Sequence, residues 1–215
     1  MIHPIRYYGD PVLRRRATEV TEFGPDLKRL AADMLETMYA ADGVGLAAPQ
    51  IGVPLRLFVA LEMQPGADAD ADPEDGSDVS AEERRRRWEQ RREHVVVNPV
   101  LTRRSGLQHG RDGCLSLPGL SVEDVPRDLS VELEYQDLDG NPHTVSATGY
   151  FAHVLQHEYD HLEGVLFFDH LPEPRKRAFL EENRAELADM QREAKAFLKQ
   201  ERERAQPAPV KSRGR

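Results

Sequence analysis

The chain has 215 residues, of which 39% are hydrophobic and 31% charged, with a formal net charge of −9. That size and balance point to one ordinary globular domain with an extension or two, and away from membrane and fibrous classes. A single cysteine excludes an internal disulfide and fits a reducing, cytoplasmic setting, and the acidic balance carries no global signal for DNA.

The N-terminal stretch MIHPIRYYGDPVLRRRATEV lacks the apolar core of a signal peptide. No apolar run approaches the roughly 18 residues a membrane-spanning helix needs. The first helix is expected over GPDLKRLAADMLETMYAADG. Leu27, Leu30, Met34 and Met38 recur there at helical spacing, Leu35 widens the stripe, Asp26 suits an N-cap and Gly43 a stop. A glycine-punctuated loop, GVGLAAPQIGVP, follows, and Leu55 to Leu61 reads as a strand.

From about residue 63 to 93 the pattern breaks into an acidic, Gly- and Pro-containing run and then a basic one. A solvated insertion is the expectation. Arg84 to Arg87, Arg91 and Arg92 would serve an RNA or phosphate surface, but the neighbouring acids weaken that use.

Strands are expected again at HVVVNPVL, LSVELEYQD and HTVSA, with Asp139-Gly140 as a hairpin turn. A helix is expected from about Thr148 to Leu162, stopping near Gly164, and a long amphipathic helix from about Arg175 to Arg204. Leu180, Leu187, Met190, Ala194 and Phe197 form its apolar stripe. The last residues, 205–215, read as a loose basic tail. The fold class expected is α+β, with mixed or antiparallel strands around a central helix plus a long C-terminal helix.

The chemistry concentrates on that central helix. QHEYDH places His157 and His161 one turn apart, so both imidazoles share a face and can grip one ion. Glu158, in the H-E-x-x-H arrangement, is placed to exchange protons with an attacking water. His153 extends the row, but eight residues of helix span about 12 Å, too far for three histidines to meet one ion through bonds of about 2 Å. His153 is therefore expected as a pocket wall or a hydrogen-bonded packing residue, and a third ligand must come from elsewhere.

The H-E-x-x-H-x-x-G-x-x-H variant is excluded, because the last position is Phe167. A downstream glutamate, Glu181 or Glu182, would make a zinc peptidase. The lone Cys114 is the better candidate. Its thiolate suits zinc or ferrous iron, Gly113 allows close backbone approach, and two His with one Cys leave an open position for catalysis.

Three segments, GVGLAAPQ (43–50), DGCLS (112–116) and QHEYDH (156–161), together resemble the signature motifs of bacterial peptide deformylases, over about residues 1–172. The resemblance implies an α+β fold and removal of the formyl group from the N-terminal formyl-methionine of nascent polypeptides. It implies Cys114, His157 and His161 as ligands of one divalent ion, usually Fe2+, with Zn2+, Ni2+ or Co2+ able to occupy the site. Glu158 would be the general acid/base, and Gln50 with the Leu115 backbone N–H would hold the formyl oxygen.

Gly43 and Gly45 would let an extended peptide pair with their loop, and Tyr150, His153 and Val154 would line the methionine pocket. Asp112 departs from the family pattern, which has Glu there. In this family the C-terminal helix can contact the ribosome, and Arg175, Lys176, Arg177, Arg184, Arg192 and Lys195 permit that here. Two other readings stay open: a zinc peptidase, and a deformylase-like protein that binds peptide or ribosome without turnover.

Overall fold

The computed structural model describes residues 1–62 and 91–205. Residues 63–90 of the insertion expected at about 63–93, and residues 206–215 of the tail expected at 205–215, lie outside those residues. The insertion's assumed end at residue 93 is too late, because Arg92 and Glu93 already belong to a strand paired with Glu62 and Leu61.

Helix α1 (Pro25–Ala40) begins one residue before Asp26, with Gly24 as N-cap and Pro25 in the first turn. Proline fits there because its missing N–H would be unpaired anyway. Strand β1 (Gly45–Ala47) lies within the glycine-punctuated segment and leads into a single 3-10 turn, Ala48–Ile51. Then come β2 (Leu57–Glu62), β3 (Arg92–Ser105), β4 (Gln108–Gly113), β5 (Ser121–Arg127), β6 (Ser130–Gln136) and β7 (Pro142–Thr148). One antiparallel sheet has the order β1-β2-β3-β6-β7, and β4 and β5 form a separate antiparallel pair.

Helix α2 (Gly149–Glu163) carries the H-E-x-x-H segment. It ends at Gly164, whose φ of 74° is left-handed and where a Cβ would lie 2.8 Å from the Arg14 carbonyl carbon. Glycine is needed there on both counts.

The central sheet is covered on both sides. Phe58 and Ala60 of β2 face a cluster with Phe151, Ala152, Leu155 and Leu162 of α2. Leu57, Val59 and Leu61 face a second cluster with Leu27, Met34 and Met38 of α1. Alternation along β2 thus feeds both cores, which is why the strand reads as a continuous apolar run.

The expected single C-terminal helix is two helices, α3 (Glu173–Glu182) and α4 (Arg184–Ala205). Asn183 breaks them: its backbone and side-chain N–H groups both donate to the Phe179 carbonyl, at 3.1 and 2.8 Å. Phe179, Leu187 and Met190 bury against Phe167 and Phe168 in a third cluster. The far end of α4 returns to the N-terminal segment, where Arg6 makes a two-pronged pair with Glu201 at 2.9 Å and stacks 4.2 Å from the Phe197 ring.

Candidate active site

Several segments converge where strand β4 ends. The strand stops at Gly113, so Cys114 follows directly, and α2 brings His157, Glu158 and His161 to the same place. The Cys114 Sγ lies 3.2 Å from His161 Nε2, which lies 3.2 Å from His157 Nε2. All three ligand atoms fall within 4.8 Å of one another. Metal–ligand bonds of about 2.0–2.3 Å at tetrahedral angles put donor atoms a little over 3 Å apart.

The donor set also fits a cation electrically. A cysteine sulfur and two imidazole nitrogens, successively 3.2 Å apart, are donors that zinc or ferrous iron takes. Burial alone would raise the Cys114 thiol, but the charge of His161 and hydrogen bonds to His157 and His161 outweigh it and bring its pKa down to about 5. Cys114 is thus held in the thiolate form that ligation requires.

His157 is oriented from behind, whereas His161 Nδ1 has no hydrogen-bond partner among the described residues. The Asp112 Oδ1 lies 2.8 Å from His157 Nδ1, which assigns the proton to Nδ1 and leaves Nε2 free as a ligand atom. The same carboxylate pairs through Oδ2 with Arg127 at 2.7 Å, and His153 Nε2 stands 3.1 Å from that oxygen. Burial opposes the charge on Asp112, but the charge of His157, the His153 and His157 hydrogen bonds and the charge of Arg127 hold its carboxyl well below the usual range. Arg127 also pairs with Asp160, which His170 contacts at 2.7 Å.

Glu158 is 4% exposed. Burial pushes its carboxyl up to about 7, against the charges of His157 and His161. Its Oε2 is buried with no hydrogen-bond partner among the described residues, so one acceptor is left for a molecule entering the site. Its other side meets β1: a Cβ on Gly45 would lie 2.3 Å from Glu158 Oε1.

Gln50 sits in the 3-10 turn that follows β1. Its Oε1 accepts the Ala47 N–H at 2.7 Å, which turns its NH2 end to Cys114 Sγ at 3.5 Å and Ser116 Oγ at 3.3 Å. Leu115 packs over the glycine loop, where a Cβ on Gly43 would lie 2.8 Å from its Cδ1.

The candidate residues therefore gather at one place, with two distinctions. Val154, 3% exposed, belongs to the core cluster shared by the sheet and α2, and Tyr150 is partly buried at its margin. His153 is tied to Asp112. Glu181 and Glu182 are on α3 and stand outside the ligand cluster, so the reading that used them as ligands loses its third donor.

Sequence reasoning missed Arg127, Ser116, Asp160 and His170. Ser116 and Asp160 lie inside the DGCLS and QHEYDH segments but were given no role there, and Arg127 shows its importance only through partners 15 and 33 residues away.

Comparison with known proteins bears on the whole assembly. The family described as polypeptide deformylase matches residues 2–177. A peptide deformylase from Thermus thermophilus is 55% identical over 200 residues, covering 93% of this chain and 98% of that protein. A crystal structure of peptide deformylase from Thermus thermophilus matches with a TM-score of 0.77 and 52% identity, over 90% of this chain and 100% of that one. A peptide deformylase from Synechococcus elongatus, solved in complex with actinonin, matches with a TM-score of 0.67 and 37% identity, over 84% and 87%.

Proposed function

This chain belongs to the polypeptide deformylase family, and we propose that Cys114, His157 and His161 hold its single divalent ion while Glu158 moves the protons. The enzyme removes the formyl group from the N-terminus of nascent polypeptides, a metal-dependent amide hydrolysis. The observation that carries the residue assignment is the convergence of Sγ and two Nε2 atoms beside the unpartnered Glu158 Oε2.

The ion we propose is Fe2+; Zn2+, Ni2+ and Co2+ suit the same donors. When bound, it supplies a Lewis acid that polarises the formyl oxygen and acidifies the attacking water.

The chain's own groups supply the rest. Glu158, buried and with its pKa raised to about 7, takes a proton from the water and returns it to the leaving amine, a role that suits a carboxyl poised near neutral pH. The Gln50 NH2 and the Leu115 backbone N–H hold the oxygen on which negative charge develops. Formate and a free amino terminus result. Gly43 and Gly45 leave β1 open for an extended peptide backbone, and the methionine side chain lies toward Tyr150, His153 and Val154 on α2.

The domain boundaries are part of the same reading: residues 1–172 form the catalytic unit, 173–204 the C-terminal helical segment, and 205–215 a tail. No helix among the described residues is long and apolar enough to cross a membrane. A cytoplasmic location, with the ribosome near its exit tunnel as a partner, follows in this proposal from a substrate that is a nascent chain.

The test is formate release. Metal-loaded protein should release formate from a formyl-Met peptide and leave the acetyl-Met analogue intact. Absence of formate from the metallated protein would overturn the assignment.

A further inference from the structure

His153 lies one helical turn before His157 on α2 and is 6% exposed. Its ring occupies a fitted place. A Cβ on Gly110 of β4 would lie 3.3 Å from its Nδ1 and 3.5 Å from its Cε1, and the Tyr150 ring stacks on it at 6.4 Å and 22°. The remaining nitrogen, Nε2, is 3.1 Å from Asp112 Oδ2.

That oxygen also accepts from Arg127 at 2.7 Å, while Oδ1 faces His157 Nδ1 at 2.8 Å. The two oxygens of a carboxylate are fixed relative to each other, but the torsion that carries them is broad. Arg127, reaching from β5, anchors Oδ2 and leaves the group free to swivel about that contact. A second donor on Oδ2, from a different element, removes the swivel and so fixes where Oδ1 points. Asp has one methylene to aim with, so the direction of its carboxylate is set by its partners.

We propose that His153 is a positioning residue for the metal centre: its Nε2–H, acting with Arg127 on Asp112 Oδ2, fixes the acceptor that orients His157. This deepens, and rests on, the reading of Cys114, His157 and His161 as ligands. His153 touches neither the ion nor the reacting atoms. A purely pocket-lining role would affect peptide binding and leave the metal alone.

The experiment loads wild type, His153→Leu, His153→Gln and Cys114→Ser with Co2+, then follows release of the ion to excess chelator and the visible absorption spectrum. His153→Leu keeps the bulk and removes the donor. It should release Co2+ about 10–100 times faster, as expected for loss of a group behind a ligand, with a shifted spectrum. His153→Gln, which restores an N–H near the same place, should return to within about threefold of wild type.

Should His153→Leu not fold, His153→Met, also without a donor, carries the same comparison. Release and spectrum like wild type in the donor-less variant, with only the KM for formyl-Met peptides changed, would overturn the proposal. Cys114→Ser separates the two levels: if it too holds Co2+ like wild type, the ligand reading itself has failed.

Discussion

Gly45 and Glu158 share one small space: a Cβ added to Gly45 would lie 2.3 Å from Glu158 Oε1, 2.7 Å from its Cδ and 2.8 Å from its Cγ. The glycine of β1 therefore sets where the carboxylate can sit. Gly45→Ala should leave the fold intact, because the atoms that must move belong to the Glu158 side chain and not to backbone, and should displace that carboxylate. A misplacement of about 1 Å costs on the order of a hundredfold in rate. We expect that loss in kcat, with an unchanged melting temperature. A kcat close to wild type would mean that Glu158 does not depend on this contact.

Arg127 is the cation shared by the buried Asp112 and the partly buried Asp160 among the described ion pairs. Replacing it with leucine leaves both carboxylates short of a partner in a dry region. Removing one member of such a buried set costs about 3–5 kcal/mol, a fall of about 10 °C in Tm for a chain of this size. Calorimetry of Arg127→Leu measures it, and a change below about 1 kcal/mol would show that the two histidines on Asp112 and His170 on Asp160 suffice.

Asp169 ties the third core to the surface. Its carboxylate accepts the Leu166 N–H at 2.9 Å, lies 2.6 Å from Lys176 Nζ, and pairs with Arg14. Burial would raise its pKa, but the Lys176, Arg14 and Leu166 hydrogen bonds prevail and lower it. A folded pKa below the unfolded one stabilises above the unfolded value and loses that stability as pH falls through the folded value. Asp169→Asn should cost about 1.5–3 kcal/mol at pH 7, the range for hydrogen bonds to a charged group. The gap between variant and wild type should narrow on going from pH 7 to a pH well below the ordinary Asp value of about 3.9. Denaturant titrations at the two pH values decide it, and an equal gap at both would exclude the charge as its source.

What could be read from the sequence divides along physical lines. Strand β2 and helices α1 and α2 announce themselves because their burial follows simple periods. The Cys114, His157 and His161 cluster was legible because the two histidines need only helical spacing and Cys114 is the lone thiol. The β4–β5 pair was not. Gln108–Gly113 and Ser121–Arg127 are polar along most of their length, since the pair buries charged Asp112 and Arg127 where most strands bury apolar residues. The break at Asn183 was hidden for a different reason. Phe179 and Leu187 keep nearly helical spacing across it, so the apolar stripe runs through a joint that only the hydrogen bonds reveal.

Asp112 is the instructive case. In the sequence it is a one-methylene departure from a family pattern. In the fold it is the hub from which His157, His153 and Arg127 are all aimed. No local pattern carries that information, because the three partners arrive from α2 and β5.

The central claim is that Glu158 moves the protons at a site whose ion is held by Cys114, His157 and His161. Its most direct test is formate release by Glu158→Gln, with metal content measured on the same sample. The account predicts one ion per chain, as in wild type, and a kcat lower by about 10²–10⁴, the usual contribution of a general acid/base. Formate release near the wild-type rate with the ion in place would contradict it.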